Sequence, residues 1–130
     1  MGQLITIEPS RRILIVPLRI PIGTGLSDVL ETYGHALKAV FIPTPFTDPP
    51  DLEFQVATLA AGPFVDLYAS GGSVVSVAYP GPGRVVAFAA PNIEQLAPWL
   101  FVKIRTGTAG APTLQTAERV LKCVLGLGLQ

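Results

Sequence analysis

Hydrophobic residues along this chain recur with a period of two far more often than with a period of 3.6, which predicts strands in preference to helices. From Arg12 onward, Leu14, Val16, Leu18 and Ile20 fall on one side of an extended segment, and Ile13, Ile15, Pro17, Arg19 and Pro21 fall on the other. Both sides are apolar, and the prolines have no N–H for a ladder. Arg12 to Ile20 is therefore predicted as an edge strand or an arm between subunits. Further strands are predicted over Ala36 to Ile42, Leu52 to Thr58, Phe64 to Tyr68, Val74 to Ala78, Arg84 to Ala89, Leu100 to Arg105 and Leu114 to Leu125. Turn chemistry separates them: Pro43 to Pro50, Ala61-Gly62-Pro63, Ser70-Gly71-Gly72, Pro80-Gly81-Pro82-Gly83 and Gly107 to Pro112.

Two short stretches carry helix signals, Ser27 before Asp28 to Glu31 and Asn92 to Leu96 before Pro98. At Thr116 to Leu125 both periods fit. Ala117, Val120, Leu121 and Val124 make a helical stripe, while Ala117, Arg119, Leu121, Cys123 and Leu125 alternate with Glu118, Val120, Lys122 and Val124. The strand is preferred, because the Gly-rich turn before it allows a closing hairpin with Leu100 to Arg105. The whole predicts an all-β, jelly-roll-like antiparallel β-sandwich of about eight strands with little helix. Residues 1–25 are expected to form an N-terminal strand or arm that contacts other subunits, and residues 26–130 the sandwich domain. The core is expected to bury Val56, Leu67, Phe88, Phe101, Ile104 and Leu121.

Composition narrows the function classes. Of 130 residues, 49% are hydrophobic and only 14% charged, with 13 glycines and 13 prolines; an ordinary soluble domain carries about 25% charge. Nine basic residues balance nine acidic ones, so there is no global field for nucleic acid or an anionic membrane, and neither is expected as a partner. Prolines, glycines and charges interrupt every apolar run before it reaches a membrane-spanning length, and Glu8, Pro17 and Arg19 break the pattern of a signal peptide. A mean hydropathy of +0.51 with so few charges suggests a surface partly covered by other subunits.

Candidate chemistry is sparse. A single cysteine, Cys123, and a single histidine, His35, support neither a disulfide framework nor a zinc site, and are read as a core thiol and a turn or interface residue. The nine carboxylates lie mostly beside turn residues. Asp48-Pro-Pro-Asp51-x-Glu53 lacks the alternating oxygen ligands of a calcium loop. No serine sits in a nucleophile elbow, and Gly23-Thr-Gly25 and Gly107-Thr-Ala-Gly110 lack the lysine of a phosphate-binding loop. No catalytic residue, metal or cofactor is expected. Trp99, Phe101, Tyr68, Phe64 and Phe54 can be read as a sugar-stacking platform or as core aromatics, with core the commoner use at strand positions.

Two stretches resemble small structural proteins of tailed bacteriophages that have a jelly-roll-like sandwich. Leu52-Glu-Phe-Gln-Val56 followed by Phe64-Val-Asp-Leu-Tyr68 is similar to their strand, turn and D-L-Y segment. Phe101-Val-Lys-Ile-Arg-Thr-Gly-Thr-Ala-Gly-Ala-Pro-Thr-Leu-Gln-Thr-Ala-Glu-Arg119 looks like their strand ending I-R-S-G-T, then a turn with Pro, then Q-x-A-x-R opening the last strand. The resemblance covers roughly Leu37 to Val124. Thr106 replaces the commoner Ser, and the Ala57 to Pro63 loop lacks the S-x-D-G turn of many relatives.

The resemblance implies a non-enzymatic virion component. The first expectation is a capsid decoration or cement protein, or another head-associated subunit, made in the host cytoplasm and incorporated into the particle. Its partners would be itself, as a trimer or dimer, and virion proteins such as the major capsid protein. The alternative is a tail- or fibre-associated module that binds a host-surface glycan. Arg12, Arg19, Arg105, Thr108, Gln115 and Arg119 are the structural or interface candidates. Arg105 and Arg119 would flank the last hairpin and, with Gln115, tie its turn together through forked hydrogen bonds, or else face a neighbouring subunit's carboxylates. Thr108, in the turn, would bond turn amides through its hydroxyl.

Overall fold

The computed structural model describes residues 6–8 and 13–126. Among them the chain forms ten strands and one short helix: β1 (Thr6–Glu8), β2 (Ile13–Ile20), β3 (Leu30–Glu31), β4 (Ala36–Phe41), β5 (Asp51–Ala57), β6 (Val65–Asp66), β7 (Ser76–Ala78), β8 (Val85–Ala87), α1 (Ala90–Leu96), β9 (Phe101–Thr106) and β10 (Arg119–Gly126). All pairings between these strands are antiparallel. One sheet runs β1-β2-β10-β4-β8; the other runs β3-β9-β5-β6, with β7 also on β5.

The strand order defines a jelly roll. β6 and β7 share the edge of β5 that β9 leaves open, so together they act as one strand. Set β1 aside and eight strands remain, ordered first-eighth-third-sixth in one sheet and second-seventh-fourth-fifth in the other. That is the double Greek key of a jelly roll. The all-β sandwich predicted from turn spacing is the fold the chain adopts.

Alternation decides which residues make the core. Val16, Leu18 and Ile20 of β2, Leu121, Cys123 and Leu125 of β10, and Val40 of β4 point inward from the first sheet, all fully buried. Leu52, Phe54, Val102 and Ile104 meet them from the second. Phe54 and Phe88 bridge the layers edge to face, with ring centroids 5.7 Å apart. Val56, Leu67, Phe88, Ile104 and Leu121 are buried as expected, but Phe101 is only half-buried. Residues three apart on a strand face opposite ways, so β9 cannot bury both Phe101 and Ile104.

Three further expectations are corrected. The segment Ile13 to Ile20 is not an edge: it lies between β1 and β10, pairs with β10 along its whole length, and puts its inward side chains into the shared core. The predicted hairpin of Leu100 to Arg105 with Leu114 to Leu125 does not exist, because β9 pairs with β3 and β5 whereas β10 pairs with β2 and β4. The connection between them crosses from one sheet to the other. Thr106, fully buried, donates its hydroxyl to Thr113 O at 2.7 Å and anchors the start of that crossing. Finally, Ser27 opens no helical turn. Its backbone N–H donates to Ile104 O, and its hydroxyl accepts the Ile104 N–H at 2.9 Å, so it extends the second sheet beside β9. The helix expected over Asn92 to Leu96 is present as part of α1, with Pro91 in its first turn.

Candidate functional site: polar pins, a tryptophan cleft and an apolar sheet face

The predicted polar residues separate into distinct groups. Arg105 lies on the outward side of β9 opposite Glu53 of β5. Its Nη1 donates to Glu53 Oε1 at 3.0 Å and its Nη2 to Asp66 Oδ1 at 2.6 Å. Gln55 Nε2 also donates to Asp66 Oδ1, at 3.2 Å. The Arg105 guanidinium, followed by Gln55, holds the Asp66 carboxyl below the usual carboxylate range against the opposing effect of partial burial. The side chains of Arg105 and Glu53 are 9% and 5% exposed, so the bridge ties β9 to β5 out of reach of solvent and to β6 through the partly exposed Asp66.

Gln115 and Arg119 form a second pin, remote in the topology from Arg105. Fully buried Gln115 copies a backbone bridge with its amide. Its Oε1 accepts the Thr47 N–H at 3.0 Å and its Nε2 donates to Thr47 O at 3.0 Å. Arg119 Nε donates to the same Gln115 oxygen at 3.1 Å, and its Nη2 reaches Thr47 and Thr116 hydroxyls at 3.3 and 3.2 Å. The Pro43 to Pro50 loop is thereby fastened to the start of β10. Thr47, the hub, carries no sequence signal of its own. Thr108 accepts the Ala111 N–H on its hydroxyl at 3.1 Å, inside the turn that sequence reasoning gave it. Exposed Arg19 pairs with Asp28 at 2.9 Å and Glu118 at 3.4 Å. Arg12 lies outside the described residues.

The remaining reactive groups are engaged locally. His35 Nδ1 lies 3.1 Å from Tyr33 O within a turn. Cys123 is fully buried, and desolvation pushes its thiol up to about 12. Tyr79 donates to Asp48 Oδ1 at 2.6 Å, and burial, reinforced by that bond, raises its phenol well above the ordinary tyrosine value. Among the described residues no group of three or more His, Cys, Asp or Glu is placed to hold a metal ion, and no helix is long and apolar enough to cross a membrane.

The five aromatics do not form one platform. Phe54 is core, and Phe64 lies under Lys103, whose Nζ stands 4.7 Å from the ring centre. Trp99 instead lines a cleft of about 340 Å³ with Ala57, Thr58, Pro98 and Leu100. The cleft lies where β5 ends and β9 begins. The Trp99 backbone is held on both sides, its N–H donating to Leu96 O and its carbonyl accepting the Thr32 hydroxyl at 3.0 Å.

The outer face of the first sheet is an apolar feature that the register assembles from four strands. Ladder partners place Pro17, Lys122, Phe41 and Val85 in one row across four strands, and Ile15, Val124, Ala39 and Ala87 in the next. Val120 and Arg19 stand beside each other in a third row. Phe41, Val85 and Val120 are 41%, 52% and 42% exposed. Lys122 is the one charge in the first two rows. The two-sided apolar pattern of Ile13 to Ile20 hinted at this face, but Phe41 and Val85 were invisible as its members until the strand order joined them.

A scan against protein-family models finds no family that matches this chain, and a search of curated proteins finds no match either.

Proposed function

We propose that the chain is a non-enzymatic structural subunit of a tailed-bacteriophage particle, a decoration or cement protein of the head that is made in the host cytoplasm and taken up during assembly. The observation that carries this reading is the outer face of the first sheet. Eight ladder positions on β2, β10, β4 and β8 hold seven apolar residues and one lysine; the exposed Ile22, Leu59, Val65, Tyr68, Leu100 and Leu114 lie outside these rows. A contiguous exposed patch of this kind marks a protein contact. The jelly-roll order is shared by viral capsid domains, lectins and other folds, so it supports the reading without selecting it. The C-terminal resemblance supplies the selection. The non-catalytic part of the proposal rests on side chains already committed: Arg105 to Glu53 and Asp66, Gln115 and Arg119 to Thr47, and Cys123 to the core.

Quantitative mass spectrometry of purified particles of the encoding phage tests it. A fixed copy number per particle is expected; a chain that is absent from particles refutes it.

One observation favours the glycan-binding alternative, the cleft at Trp99. Trp99 is the single tryptophan, so its fluorescence reports that cleft alone. Saturable quenching by host-surface glycans with unchanged circular dichroism would favour the alternative over the particle role.

A further inference from the structure

Resting on that reading only for the choice of face, we propose that the outer face of the first sheet pairs with the same face of a second copy, about a two-fold axis running parallel to the strands between β10 and β4. Such a rotation exchanges β10 with β4 and β2 with β8 but keeps each row opposite itself. Lys122 then meets Phe41 of the second copy, and Phe41 meets that copy's Lys122. In the same way Pro17 meets Val85, Val124 meets Ala39, and Ile15 meets Ala87. Each contact occurs twice, as an isologous interface requires.

Three features favour a second copy as the occupant. The pairs are complementary in size, since the larger Val124 and Ile15 fall on the alanines Ala39 and Ala87. The cation within these two rows, Lys122, lands on an aromatic ring, where the ring's quadrupole attracts it; Lys38, in the β4 bulge, lays its chain over Gly126 beyond them. An axis laid across the strands at the same row would instead stack Lys122 on Lys122. The dimensions also fit a real but modest interface. Four strands about 4.8 Å apart and two rows about 7 Å apart cover roughly 270 Å² per copy. Two copies bury about 550 to 650 Å² through these rows, the weak, reversible end of association. Packed sheets cross at about 30°, so the contacts nearest the axis, Lys122 with Phe41 and Val124 with Ala39, keep their pairing best.

Sedimentation of the full chain should show a reversible monomer-dimer equilibrium with a dissociation constant of roughly 10 to 100 μM. Val85→Glu, exposed on β8, should weaken it at least tenfold while circular dichroism stays unchanged. The axis is tested by cross-linking. Pro17→Cys and Val85→Cys proteins, which the axis places opposite each other at the outer strands of one row, should each yield little dimer alone with a short bismaleimide, and an equal mixture of the two should yield several-fold more, because facing sheets lie about 10 Å apart. Buried Cys123 stays out of reach. A folded chain that remains monomeric at every concentration overturns the proposal and assigns the face to another partner. Undiminished pairing by Val85→Glu, or equal cross-linking by each cysteine variant alone, overturns the geometry. A monomer that still enters particles removes this dimer and leaves the particle role standing; a dimer of this geometry that is absent from particles does the reverse.

Discussion

Replacing Arg105 by methionine removes the guanidinium that Glu53 and Asp66 share, and the two carboxylates respond differently. Asp66, with 23% of its side chain exposed, turns to solvent at small cost. Glu53 has 5% of its side chain exposed and stays trapped without a partner. Breaking a buried pair from one side costs about 3 to 5 kcal/mol, because an uncompensated charge is left in a medium that solvates it poorly. Set against a total stability of about 5 to 15 kcal/mol, Arg105→Met should lower the melting temperature by roughly 10 to 20 °C. Glu53→Leu combined with Arg105→Met removes the trapped charge and should recover more than half of the loss. Urea unfolding followed by Trp99 fluorescence and circular dichroism measures both. A single variant within about 1 kcal/mol of wild type, or a double variant as unstable as the single, refutes the claim that this pair is buried and mutually dependent.

Three further outcomes follow from the same structure. Asp66 titrates lower in the folded chain than in the unfolded one, so the unfolded state binds more protons between the two values. Its contribution is full above the ordinary aspartate pKa of about 3.9 and disappears as pH falls through the folded value. Acid unfolding should therefore lose part of its pH dependence in Arg105→Met, and an identical acid limb in both proteins would contradict this. Gly107 has φ +86, and a Cβ there would stand 2.7 Å from both Ala111 O and Thr113 N, so Gly107→Ala should cost about 2 to 4 kcal/mol in urea unfolding; a neutral result would show that the crossing loop is placed differently. Cys123, with its thiol pushed up to about 12 in a solvent-free core, should react with an aromatic disulfide reagent at pH 8 only as fast as the chain unfolds. Rapid labelling of the native protein would place the thiol at the surface.

Strand positions were legible because a strand shows its burial in its own alternation. Leu52, Phe54 and Val56 announce β5, and the glycine-proline clusters announce its neighbours' ends. Strand partners were not legible, because alternation fixes which way a side chain faces and says nothing about which strand lies alongside. Leu100 to Arg105 and Leu114 to Leu125 look like a hairpin by proximity, yet the jelly roll sends them to opposite layers. Arg105 therefore finds Glu53, 52 residues away in sequence, and Arg119 finds Thr47, 72 residues away. Gln115 and Arg119 do share a hydrogen bond, a contact close enough in sequence for spacing to suggest. The apolar sheet face failed to appear for the same reason, since its rows cross four strands drawn from distant parts of the chain.

In the proposed role, the face centred on Lys122, Phe41, Val124 and Val85 carries the chain into a multi-copy particle. The most direct measurement of that role is the copy number of a Phe41→Glu, Val85→Glu double variant per purified particle, beside wild type, with folding of both confirmed by circular dichroism. At least a tenfold loss of incorporation by a variant that remains folded is expected. Incorporation equal to wild type would contradict it and move the assembly contact to another surface of the domain.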